Sequence, residues 1–175
     1  MYDNHAVVIG LDEVTKPVLP ALKDRVGDVV IVDRNPQTAD EFADSEYDVI
    51  YGDFKHSELR KEAGLKRAAV VLSSSVQSEI NQIAIREAND DAIVIVEAGT
   101  VDQALDRYEE GAHYVTIPTV LTGLKIRAYL EEYFTDREGF FETVREDVKR
   151  LQAANESGSY LTDGGKATEE VNTDE

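Results

Sequence analysis

Apolar residues fall along this chain in short unbroken runs at nearly even spacing: Ala6-Val7-Val8-Ile9, Val29-Val30-Ile31-Val32, Val49-Ile50-Tyr51, Ala69-Val70-Val71-Leu72, Ile93-Val94-Ile95-Val96 and Tyr114-Val115-Thr116-Ile117. A strand with one wet face alternates apolar and polar positions, so continuous runs predict strands covered on both faces, as in a parallel sheet. Between them the period becomes helical, with Val76, Ile80, Ile83, Ala84 and Ala88 on one stripe, and with Leu59 and Ala63 ahead of a Gly64-Leu65 stop. Each strand-plus-helix unit takes 20 to 24 residues, the length of a βαβ crossover. The predicted fold class is α/β: a doubly wound parallel sheet of about six strands, ending near Ile117.

After Pro118 the pattern changes to two helices with no strand between them. The first, Val120 to Phe134, carries Val120, Leu121, Leu124, Ala128, Leu130 and Phe134, an apolar band too wide for a helix in water. Either a partner covers it or it folds back on its own sheet. The second, near Phe140 to Leu151, places Phe140, Phe141, Val144, Val148 and Leu151 on one stripe. From Ala154 the sequence is rich in Gly, Ser and acids with little to bury, which predicts a disordered acidic tail. The expected division is 1–134 for the sheet domain with its trailing helix, 135–153 for an amphipathic helix and 154–175 for the tail.

Composition narrows the chemistry. Among 175 residues there are 36 Asp and Glu against 18 Lys and Arg, a net charge of −18, and no cysteine. Disulfides, thiolate metal clusters and cysteine nucleophiles are therefore excluded. No apolar run approaches the roughly 20 residues of a membrane span, and the first ten residues lack the features of a signal peptide, so a cytoplasmic chain with no direct membrane insertion is expected. The negative charge argues against nucleic-acid binding. The acids are spread throughout, and arginines outnumber lysines, ten to eight. This composition resembles that of proteins from salt-loving archaea, where molar salt shortens the Debye length to about 3 Å.

In such a fold a ligand sits at the carboxyl ends of the strands, beside the first one. There the chain reads Gly10-Leu11-Asp12-Glu13-Val14-Thr15, and of the G-x-G-x-x-G dinucleotide fingerprint only Gly10 matches. Asp12 stands where bare backbone should approach a pyrophosphate, and Asp12 and Glu13 compete with an anion for the turn's amides. Pro17 and Pro20 would each cost about 3 kcal/mol inside a helix, so the helix is predicted to start late, with Thr15 as its cap. Asp33 ends the second strand, 23 residues after Gly10, where an acid accepts hydrogen bonds from an adenosine ribose. It could equally cap the turn at Pro36. The neighbouring Arg34 could favour a 2′-phosphate, but the acid favours NAD over NADP.

Four further stretches carry a resemblance: Val30-Ile31-Val32-Asp33-Arg34-Asn35-Pro36, Val49-Ile50-Tyr51-Gly52-Asp53, the run from Leu59 to Leu72, and Tyr108 to Pro118. In that order and spacing they resemble the N-terminal domain of regulators of potassium conductance, the RCK or TrkA-N family, over residues 5 to about 134, and a haloarchaeal member in particular. The resemblance implies a Rossmann-like sheet that binds NAD or NADH, or AMP, ADP or ATP, without catalysis, and that regulates a membrane-embedded potassium channel or transporter. It also implies a homodimer in which the helix after the sixth strand crosses to the partner, with Leu121, Leu124, Ala128, Leu130 and Phe134 at the interface. Carried over by position, Asp33 would hold the ribose, Asp53 and Phe54 would line the adenine side beside Arg34, Ser73 and Ser74 would face the nucleotide, and Glu97 would close the far end of a crevice that begins at Gly10 and Asp12. Serines near Asp53 replace the partners a divalent cation would need, so no metal is expected.

Two rivals remain. One is a dimerising module of the same fold that has lost its nucleotide. The other is an NAD-dependent oxidoreductase, for which no substrate domain is evident and whose proton donors would have to come from His5, His56 or His113, scattered at strand ends and turns where exposed histidines are ordinary. A serine hydrolase is disfavoured because Ser73-Ser74-Ser75 lacks the G-x-S-x-G elbow.

Overall fold

A computed structural model describes residues 2–157. Its six strands are β1 (Ala6–Ile9), β2 (Val29–Asp33), β3 (Asp48–Tyr51), β4 (Val70–Ser73), β5 (Ile93–Glu97) and β6 (Tyr114–Thr116), all parallel and ordered β3-β2-β1-β4-β5-β6. The helices between them are α1 (Leu19–Val26), α2 (Pro36–Glu41), α3 (Ser57–Glu62), α4 (Ser78–Glu87) and α5 (Val101–Glu109); α6 (Pro118–Thr135) and α7 (Arg137–Ser157) follow the sheet. This is the Rossmann-like sheet that the apolar runs predict, with each strand within about two residues of its expected place.

β1 and β2 at the centre are buried along almost their whole length, with Val7, Val8, Val30 and Ile31 at 0% exposure. Successive side chains leave opposite faces. One face carries Val7, Ile9, Val30, Val32, Val71, Val94 and Val96 and packs with Leu65, Ile80 and Ala84 of the helical side. The other carries Ala6, Val8, Val29, Ile31 and Leu72 around Leu19 of α1. On this second face burial fails toward β6: Ile93 is 52% exposed and Tyr114 47%. Unbroken apolar runs predict covering on both faces there as well, and the described residues do not supply it.

His5 departs from the expectation of an exposed histidine. It is fully buried at the start of β1, with Nε2 2.7 Å from the carbonyl oxygen of Ala63. The segment before a central strand runs beneath the sheet, so a polar residue there needs an internal partner.

α6 has no buried residue and packs chiefly on α7, through edge-to-face contacts such as Tyr133 on Phe140 with ring centroids 5.3 Å apart. The alternative in which it folds back on its own sheet is thereby removed. α7 starts at Arg137 and runs to Ser157, past Ala154 where the tail was expected to begin. Alanines at 153 and 154 favour helix, which outweighs the falling apolar content. The rest of the expected tail, 158–175, lies outside the described residues. No described helix is long and apolar enough to cross a membrane.

Candidate functional site

The chain leaves β1 toward β2 on one side, while β4 lies on the other, so a crevice opens above the carboxyl ends of these strands. A cavity of about 140 Å³ lies there, lined among others by Gly10, Asp33, Arg34, Asp53, Phe54 and Ser74. Gly10 is fixed by donating to Val32 O at 2.9 Å, with φ of +73°. A Cβ on it would stand 2.8 Å from Ser74 Oγ, so the close approach of the first turn to the end of β4 requires glycine.

The rest of the turn is closed by its own carboxylate. Asp12 Oδ1 accepts from Val14 N at 3.0 Å, Thr15 N at 2.9 Å and Thr15 Oγ1 at 2.9 Å, while Asp12 N donates to Thr15 Oγ1 at 3.0 Å. A 3-10 turn, Lys16–Val18, contains Pro17, and α1 begins at Leu19 with Pro20 in its first turn, so the late start is observed. Thr15 is not the expected side-chain cap. It is buried and makes no capping bond, because its hydroxyl is held by Asp12, whose side chain reaches the two amides ahead of the prolines.

Asp33 points back to the same turn. Its Oδ2 accepts from Leu11 N at 3.1 Å and from Thr38 Oγ1 at 3.0 Å, and its Oδ1 accepts from Asn35 N at 2.9 Å. The side chain capping α2 is Asn35, which accepts from Gln37 N. Asp33 therefore stitches β2 to the first turn and keeps acceptor capacity on Oδ1. Arg34 Nη1 lies 3.8 Å from Asp53 Oδ2 at the mouth of the cavity. Phe54 sits below them, 2% exposed, as part of both the cavity floor and the core.

Ser73 does not face the crevice as expected. It is buried, and its hydroxyl donates to Asn81 Oδ1 at 2.8 Å, because side chains alternate at the end of β4 and leave the crevice position to Ser74. Asn81 was not marked by the sequence pattern. Its Nδ2 donates to Ser75 O and to Glu97 O, each at 2.8 Å, joining the ends of β4 and β5. Its only signal is a polar residue beside Ile80 on an apolar stripe. Burial, and then the charge of Asp12, hold the Glu97 carboxyl above its ordinary range, while neither Glu97 nor Asp12 is among the residues that line the cavity.

Tyr51 and Lys55 have the Tyr-x-x-x-Lys spacing of an oxidoreductase, contrary to the expectation that the chain contains no such pair. Tyr51 ends edge strand β3, and Lys55 lies in the turn beyond it with Nζ 2.8 Å from Glu79, so the pair does not share one helical face. Among the described residues no group of three or more His, Asp or Glu side chains is placed to hold a metal ion.

Strand order and crevice together define a Rossmann-like domain. Residues 6–118 match the model of the TrkA-N domain, and the chain belongs to that family. Among solved structures it is similar to the TrkA-N domain of the inner membrane protein ybaL from Escherichia coli, at 21% identity with a TM-score of 0.67, covering 74% of this chain and 98% of that one. It is similar also to the AMP-bound Kef CTD of Shewanella denitrificans, at 16% identity and a TM-score of 0.62, covering 89% of this chain and 94% of that one. The GsuK channel bound to NAD is 18% identical with a TM-score of 0.55; the match covers 67% of this chain and 22% of the GsuK chain. Comparison with curated proteins finds no match.

Proposed function

We propose that this chain is a non-catalytic regulatory domain that senses an adenine nucleotide, NAD, NADH, AMP, ADP or ATP, and reports it as a homodimer to a potassium channel or transporter at the cytoplasmic face of a membrane. The observation that carries this reading is the cavity at the switch point of a TrkA-N sheet, with Asp33 beside Gly10 at the ribose position. The similar structures holding NAD and AMP support an adenine nucleotide as the ligand.

Dimerisation is supported by two surfaces that one chain leaves open. Leu121, Leu124 and Leu130 of α6 are about half exposed and Phe134 is 82% exposed, while Ala128 also faces solvent. The second face of β5 and β6 exposes Ile93 and Tyr114. A second copy can cover both, each burying its arm on the other. Removing such apolar area from water contributes about 25 cal/mol per Å², against which the lost freedom of two associating chains is set.

Titration calorimetry with each nucleotide tests the reading. Saturable binding that weakens tenfold or more in Asp33→Ala, which leaves the ribose without its acceptor, is the expected result. The reading without a ligand is favoured by one observation, that Asp12 and Asp33 already satisfy the amides of the first turn. Heat absent with every nucleotide, from a chain that still melts cooperatively, would decide for it.

A further inference from the structure

We infer that the crevice receives the nucleoside end of its ligand and refuses a pyrophosphate bridge, so that its ligand class is adenosine or its monophosphate rather than a dinucleotide. This inference rests on the nucleotide-sensing reading above and narrows it.

A dinucleotide of this fold places its pyrophosphate on the free amides of the first turn and of the helix behind it. Here the amides of Gly10, Leu11, Asp12, Val14, Thr15 and Lys16 have acceptors within the chain. Gly10 N donates to Val32 O, Leu11 N to Asp33 Oδ2, and Asp12 N to Thr15 Oγ1. Val14 N and Thr15 N both donate to Asp12 Oδ1, and Lys16 N donates to Asp12 O at 2.9 Å. The Asp12 carboxylate thus occupies the place of the anion. A pyrophosphate bridge, fixed at both ends, would have to break these bonds and stand against a like charge, whereas the terminal phosphate of AMP, tethered at one end only, can turn out to solvent.

Two other features act in the same direction. α1 starts only at Leu19, so its first free amides and the positive end of its dipole come after Thr15 rather than at the turn following Gly10. Burial, and then the charge of Asp12, raise the cost of ionising Glu97, so a second acid stands by the turn. By contrast, the near end suits an uncharged nucleoside. Asp33 Oδ1 retains room for a ribose hydroxyl, and Phe54 and Ile80 supply an apolar floor. The cavity, at about 140 Å³, is small beside the roughly 300–1,000 Å³ of pockets that engulf whole drug-sized ligands.

Calorimetric titrations of adenosine, AMP, ADP and NAD into the natural chain and into Asp12→Asn and Asp12→Gly, at one fixed salt concentration, test the inference. In the natural chain adenosine and AMP should bind about tenfold or more tightly than NAD. That ratio should shrink in Asp12→Asn, which keeps an acceptor for the amides and drops the charge, and shrink further in Asp12→Gly, which empties the place. Should Asp12→Gly lose its cooperative melt, the ratio in Asp12→Asn decides. NAD binding as tightly as AMP in the natural chain, or an unchanged ratio in the folded variants, overturns the inference while leaving nucleotide sensing intact. NAD binding acquired by Asp12→Gly from a natural chain that binds none of the four sustains the filled cradle and overturns sensing by the natural chain. No binding by any of the three overturns both.

Discussion

Glu97 ends β5 with its carboxyl partly withdrawn from water and near the charge of Asp12, and both effects make ionisation harder in the folded chain than in the unfolded one. Its folded pKa is therefore raised. The folded state then binds more protons than the unfolded state across the interval between the two values, and stability falls as pH rises through it. Glu97→Gln should melt above the natural chain at neutral pH, and the difference should vanish below the unfolded value of about 4.3. An offset that stays constant with pH would trace the effect to packing instead. Gly10 and Asp33 were legible as residues of this cavity because they stand at strand ends that the apolar runs mark. Ser73 and Asn81 were not, since the inward turn of one hydroxyl and a buried amide across two strand ends have no period in the sequence.

The strands were legible because each is an apolar run bounded by polar turns, and the helices because their stripes repeat. What the runs could not distinguish was which neighbour covers them: β1 and β2 lie between helices of their own chain, while β5 and β6 have one face open. The late start of α1 was legible from Pro17 and Pro20, yet the cap was assigned to Thr15 rather than Asp12, because both residue types suit that role and only geometry separates them. Beyond their ladder, the carboxyl ends of β4 and β5 are tied together by a side chain of α4, Asn81. Asn81→Leu leaves Ser73, Ser75 and Glu97 short of a partner, and each buried group so stranded costs on the order of 1–3 kcal/mol. A lower urea midpoint with unchanged slope is expected for this variant; a midpoint equal to that of the natural chain would mean that water replaces the amide at no cost.

Whole-molecule behaviour should follow the open apolar surfaces and the charge of −18. Leu124→Glu combined with Leu130→Glu should give monomers in sedimentation velocity where the natural chain gives dimers; dimers that persist would place the interface elsewhere than α6. Melting temperature should rise with potassium chloride up to molar concentration, as screening removes repulsion among the acids. A flat dependence would mean that the ion pairs, such as Arg60 with Glu87 at 2.8 Å, already balance it.

The arm formed by α6 and α7 leaves the sheet through one joint, where Thr116 is tied to Val96 and Ala98, Ile117 rests against the core, and Pro118 opens the helix. Because the arm has no other firm hold on its own sheet, the direction in which it projects is set by the seating of β6 on β5, one residue from Glu97. A tilt of a few degrees in that short strand becomes a displacement of ångströms at Phe134, about 24 Å along an α-helix of 1.5 Å per residue. The joint is a lever's fulcrum, and under the proposed function its stiffness, more than the depth of the crevice, would set how far a bound molecule moves what the arm grips.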